Sequence, residues 1–142
     1  SNVVSFLNRL KYPKNMKYIY IENEKIGKVK AELLTEKNPK TCKKIWENLP
    51  LDLNLSRWGE ELYGSIPLKI EEENSQEECE VGDIGYWISG SGFCIFFGKT
   101  PASTSEKPKA ASPVNIFAKI VDEDPKIFDQ FSSFTGKATK AE

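Results

Sequence analysis

Between Val81 and Pro101 the chain is apolar on both sides of a two-residue period. Ile84, Tyr86 and Ile88 fall on one face of a first arm and Trp87 on the other. After a Ser89-Gly90-Ser91-Gly92 turn, Phe93, Ile95 and Phe97 share a face of a second arm, and Cys94 and Phe96 take the opposite one. β-Branched and aromatic residues fill both arms, with glycines and a proline bracketing them. A sheet wetted on one side alternates with polar residues instead. The hairpin is therefore predicted to be central, one face in a barrel or sandwich interior and the other under a helix or loop.

Lys17 to Ile21 alternates, and after a turn at Glu22-Asn23-Glu24 the apolar residues from Ile26 to Leu33 are separated by Lys28, Lys30 and Glu32. That spacing predicts a hairpin with one solvated face. Asn38-Pro39 is a helix start, since Asn caps free amides and Pro is tolerated at the first helical position. Cys42, Ile45, Trp46 and Leu49 follow as one apolar stripe, and Pro50 ends the helix. Leu51, Leu53, Leu55 and Arg57 line one face of an alternating strand, Trp58-Gly59 breaks the pattern, and Glu60 to Ile66 is a further short strand closed by Pro67. Residues 71–80 hold six glutamates and are predicted as a solvated, mobile acidic loop without the alternating ligands and turn glycine of a calcium loop. Residues 100–113, rich in Ser, Ala, Lys and Pro, are predicted as a long loop. Asn115 to Val121 is a strand, and Asp124-Pro125 starts a short helix with Ile127, Phe128 and Phe131 on its apolar stripe. Gly136 ends that unit, leaving residues 137–142 as a tail or frayed edge strand.

Strands dominate and the helices are isolated, so the fold class is mainly β. A closed antiparallel barrel capped by two short helices fits this order, whereas βα alternation does not. At 142 residues the chain is predicted as one domain over 17–142. Residues 1–16 are predicted to be a loosely ordered extension or tag remnant, with Val4, Phe6, Leu7 and Leu10 forming a short amphipathic turn and Met16 as the natural start. A net charge of -1 with no obviously basic face argues against nucleic acid as a partner. No apolar run approaches a membrane span, and no secretory core opens the sequence. Cys42, Cys79 and Cys94 are an odd set without CxxC spacing, read as free thiols of a cytoplasmic protein. Histidine is absent, which removes His-dependent triads and the common His metal sites. No cofactor and no metal are expected, and the chain is expected to be a monomer or weak dimer.

Three stretches resemble the cyclophilin fold. Asn38-Pro39-Lys40-Thr41-Cys42 is similar to the start of the first cyclophilin helix. Asn115 to Asp122 resembles the late strand that runs into the second helix, and Gly92 to Phe97 sits where cyclophilins carry paired phenylalanines. Arg57-Trp58-Gly59-Glu60-Glu61-Leu62-Tyr63 and the Gly82-Asp83…Tyr86-Trp87…Cys94-Ile95-Phe96-Phe97-Gly98…Thr100-Pro101 series bring the chain nearer to the small prokaryotic cyclophilin-like proteins of unknown function. The resemblance covers about residues 17 to 135. It implies a fold more firmly than an activity.

Peptidyl-prolyl isomerisation, the cyclophilin reaction, needs neither nucleophile nor metal. It needs an apolar grip on the proline ring and a donor for the prolyl nitrogen, against an amide rotation barrier of about 18–20 kcal/mol. In cyclophilins an arginine is that donor, and by resemblance Arg57 takes its place as the catalytic residue if the chain is an isomerase. Cys94 stands where cyclophilins have a glutamine, and residues 100–113 contain neither the tryptophan nor the histidine of the cyclophilin pocket. Glu60 and Glu61 point to opposite faces and do not form a carboxylate pair. The leading reading is a domain that binds a small molecule or a short, proline-containing peptide in a groove near Arg57, Glu61, Tyr63, Cys94 and Phe96, bordered by residues 100–113. A degenerate isomerase and a structural or partner-binding module without a pocket are the alternatives.

Overall fold

A computed structural model describes residues 16–141. Residues 1–15, on which the predicted amphipathic turn falls, and Glu142 lie outside the described residues. In chain order the elements are β1 (Tyr18–Asn23), β2 (Gly27–Leu33), α1 (Pro39–Glu47), β3 (Leu51–Arg57), β4 (Glu61–Ser65), β5 (Gln76–Glu78), β6 (Asp83–Trp87), β7 (Gly92–Phe96), β8 (Lys109–Ile120), a 3-10 helix (Pro125–Gln130) and β9 (Ser133–Ala141). The sheet runs β2-β1-β9-β3-β4-β7-β6-β8-β5, and a further β2–β8 pairing closes it. Eight strands thus form an antiparallel barrel, and β5 adds to β8 outside the ring. No helix among the described residues is long and apolar enough to cross a membrane.

The hairpin β6–β7 is buried on both faces. Ile84, Tyr86, Phe93, Ile95 and Phe97 join the barrel core, together with Ile19, Ile21, Leu53 and Leu62 from other strands. Cys94 and Phe96 belong to a second apolar cluster with Cys79, Ala110, Val114 and Ile116. The helical stripe also packs as its spacing predicts. Cys42 and Ile45 are buried, and Trp46 and Leu49 lie half-buried against the core. Lys17 Nζ and Lys140 Nζ flank the Trp46 ring, 4.7 and 4.9 Å from its centroid.

The structure corrects four expectations. Residues 137–141 are not a frayed tail. β9 pairs with β1 on one edge and β3 on the other, and Gly136 sits inside it. A Cβ there would overlap the Glu22 carbonyl and the Phe134 ring, so this close approach requires glycine. The loop read at 100–113 ends early, because β8 begins at Lys109. The first half of β8 has small side chains and no alternating pattern of large apolar ones, yet it pairs with β5, and Ala110 is buried.

The acidic stretch is also anchored. Its Glu73 carboxylate accepts hydrogen bonds from Lys40 N (3.0 Å), Thr41 N (3.1 Å) and Thr41 Oγ1 (2.9 Å), so it caps α1 from a distant segment. Asn38, the predicted cap, makes no side-chain cap bond. Its buried amide donates to Ile116 O (2.7 Å) and accepts from Asn74 N (2.8 Å). Asn115 completes the clasp, accepting from Glu73 N and donating to Thr41 Oγ1 and Glu71 O. Ahead of it, Ile66, Leu68 and Ile70 are buried in the core, and Tyr86 Oη donates to Leu68 O (2.8 Å).

Burial acts to raise the pKa of Glu73, but the bonds from Lys40 and Thr41 outweigh it and hold the carboxyl below the ordinary range. Its contribution is therefore present above about pH 4.5 and is lost as pH falls further. Glu73→Ala should lower stability by about 1–2 kcal/mol in a urea melt at neutral pH, the cost of losing a cap. The gap should narrow in acid. A loss under about 0.3 kcal/mol would mean the cap adds nothing.

Candidate functional site

The register of β4, β7, β6 and β8 decides which side chains can meet. Leu62 and Ile95 face the barrel interior. Their neighbours Glu61 and Tyr63 on β4 then face outward, opposite Phe96 and Cys94 on β7. The same outward row continues from Cys94 to Gly85 and from Gly85 to Ile116, while Trp87 stands opposite Val114. Over this face lies a hollow of about 230 Å³ lined by Trp58, Glu61, Tyr63, Trp87, Ala110, Ala111 and Val114.

Its walls are set by glycine-dependent packing. Trp87 Nε1 donates to Ser112 Oγ (2.6 Å), and the indole lies so close to Gly90 that a Cβ there would overlap the ring. The Ser-Gly-Ser-Gly turn therefore fixes an aromatic wall as well as reversing the chain. Tyr63 meets Trp87 edge to face, with ring centroids 6.2 Å apart and planes at 86°. Trp58 sits in the turn between β3 and β4, closed by its own N–H donating to Glu61 O (2.9 Å). Gly59 has φ +62, and a Cβ there would lie 2.7 Å from Pro101 Cδ. Only glycine lets this turn nest against Pro101.

Glu61 is the charged residue of the lining and is 5% exposed. Its Oε1 is buried with no hydrogen-bond partner among the described residues. Burial pushes the carboxyl up to about 7, and the Cys94 thiol beside it acts in the opposite direction. Such a group changes charge near neutrality, which suits proton exchange or a ligand that supplies the missing partner. Burial, then the Glu61 charge, pushes the Cys94 thiol far up, so it is no nucleophile. Among the described residues, no cluster of three or more His, Cys, Asp or Glu is arranged to hold a metal ion.

Arg57 lies elsewhere. It pairs with Leu62, whose side chain faces the barrel interior, and so stands across the sheet from Glu61 and Tyr63. Its guanidinium stacks over Phe97, 5.1 Å from the ring centroid. Nε donates to Gly59 O (2.8 Å), Nη1 to Asp129 O (2.6 Å) and Phe131 O (3.1 Å), and Nη2 to Asp129 Oδ1 (2.7 Å). These bonds tie the end of β3 to the 3-10 helix, whose Phe128 packs with Phe134 and with Phe131 just past the helix end. Lys126 pairs with Glu60 to fasten the same helix. Of the residues the sequence points to, the structure brings Glu61 and Tyr63 to the hollow. Cys94 and Phe96 are buried in the cluster beneath that face, and Arg57 is separated from all four. Trp58 and Trp87 were missed. Trp58 reads as a strand break, and Trp87 reads as the covered side of a hairpin.

The chain matches the cyclophilin-like family over residues 17–135. It is similar to the solution structure of a hypothetical protein from Archaeoglobus fulgidus, with 32% identity and a TM-score of 0.74, covering 89% of this chain and 95% of that one. No curated protein matches.

The raised pKa of Glu61 has a defined sign. The folded protein holds this proton more tightly than the unfolded chain, so the contribution to stability is full below about pH 4.5 and is lost as pH rises through about 7. Relative to Glu61→Gln, the wild type should lose about 3 kcal/mol of stability across that window. Urea melts of both proteins over the range measure the difference. A flat difference would mean that the carboxyl is solvated.

Proposed function

The chain belongs to the cyclophilin-like family, and we propose that on this fold it is a binding module for a small, largely apolar molecule or the side chain of a short peptide. The site is the hollow over β4, β7, β6 and β8. The observation that carries this reading is a preformed apolar recess with one buried, incompletely partnered carboxyl in its wall. That is the usual make-up of a ligand site, in which apolar walls supply burial and a single polar group fixes orientation. Its size suits a compact group, since an enclosed apolar cavity of about 150 Å³ already admits benzene.

The isomerase reading draws less support. An isomerase of the cyclophilin kind needs its arginine beside the proline pocket, whereas Arg57 is engaged by three carbonyls and Asp129 on the opposite side of the sheet. Its planar fork serves as a brace between β3 and the 3-10 helix.

Tert-butylethanol, a compact neutral probe, should shift the Trp58 and Trp87 indole N–H resonances and leave that of Trp46 unmoved. Ala111 is exposed on the rim of the hollow. Ala111→Trp should fill the hollow and weaken binding by at least about tenfold, a loss of about 1.4 kcal/mol. Arg57→Lys should bind the probe as the wild type does while losing about 1–3 kcal/mol of stability, because lysine cannot make the fork of bonds. No response at Trp58 or Trp87, or binding abolished by Arg57→Lys in a folded protein, would contradict this reading.

A further inference from the structure

We infer that the ligand of this site is a compact organic cation, an alkylated ammonium group held between aromatic rings and the Glu61 carboxylate. This rests on the binding reading above and names its ligand class.

Four of the seven lining residues carry the inference. Trp58, Tyr63 and Trp87 present indole and phenol rings, whose faces carry negative potential and attract a cation within about 6 Å of a ring centroid. Tyr63 and Trp87 stand nearly perpendicular, at 86°, so they wall the hollow from two directions. Glu61 adds a formal negative charge. The rest of the lining is Ala110, Ala111 and Val114, which offer no hydrogen bonds from their side chains and pack well against alkyl groups.

The charge arrangement is incomplete without a cation. A carboxylate that is 5% exposed ordinarily has a cationic or hydrogen-bonding partner. Here Oε1 has none, and no lysine or arginine is among the lining residues. Arg57, on the other face of the sheet, is paired with Asp129, and Lys126 is paired with Glu60. An ammonium entering the hollow supplies the missing countercharge, while its alkyl groups keep the aromatic walls dry. An inorganic cation fits less well, because its ligands would have to be ring faces and methyl groups.

Proton and ligand then compete for the same oxygens. The groups around Glu61 are Tyr63 on its own strand, Cys94 on β7 and Cys79 ahead of β6, with Asp83, Glu80 and Lys37 beside Cys79. Burial holds both thiols protonated through the neutral range, so the proton that competes with the ligand in the hollow is that of Glu61. Cation binding should strengthen as pH rises and level off above about 7.

Choline and tert-butylethanol have the same shape and differ in charge, which makes them a matched pair of probes. Both are titrated into the full chain by indole N–H shifts and calorimetry. At about pH 8 choline should bind at least about tenfold more tightly than the alcohol. From about pH 8 to about pH 5 choline binding should weaken by about that same factor, down to the level of the alcohol, while alcohol binding stays level. Glu61→Gln should erase the preference and still bind the alcohol. Equal or tighter binding of the alcohol, a choline preference that survives Glu61→Gln, or choline binding indifferent to pH would overturn the cation and leave the binding site standing. The pH dependence of the wild type decides the matter even where the variant folds poorly. Silence from both probes would remove the site itself.

Discussion

Phe117 has no partner on β6, because Ile84 pairs with Ala118 and Gly85 with Ile116. This one-residue bulge turns β8 over between its two halves. After it, Ala118 and Ile120 face the barrel core. Before it, Ala110, Val114 and Ile116 face the second cluster. A straight strand would place all of them on one side. One long strand therefore closes the barrel against β2 and also forms a wall of the hollow.

The barrel around this site is fastened from several directions, so a buried carboxyl is tolerable within it. Arg57 joins β3 to the 3-10 helix, Lys126 joins that helix to Glu60, and the Asn38–Thr41–Glu73–Asn115 clasp holds the acidic stretch to α1 and β8. These contacts lie outside the hollow. Alteration of the ligand site and alteration of the frame are thus separable by mutation. Arg57 belongs to the frame and Glu61 to the site, although only three residues separate them in the chain.

Period and punctuation made much of this fold legible. Both arms of the β6–β7 hairpin are apolar on both faces, and both faces are buried. The β1–β2 hairpin and the stripe of α1 were legible for the same reason. The sheet edges were not. β9 buries Phe134 and Ala138 among Thr, Lys and Gly, and β5 with the first half of β8 is mostly polar. Such strands are held by ladder bonds on their edges, and hydrophobic spacing does not record those. In the site, Glu61 and Tyr63 were legible as two residues on one face. Arg57 was drawn to them by its nearness in sequence and by resemblance, and strand alternation puts it on the other side. Trp58 and Trp87 depend on a turn and on a glycine contact with Gly90, which only the folded chain brings together.

The central claim is that Glu61 is a buried, titrating carboxyl in the wall of a ligand site. Its own carboxyl-carbon NMR resonance, followed through pH without and with saturating choline, tests this directly. The account predicts a midpoint near 7 in the free protein and a clear fall when the cation is bound. A midpoint near the ordinary 4.5 that choline does not move would contradict it.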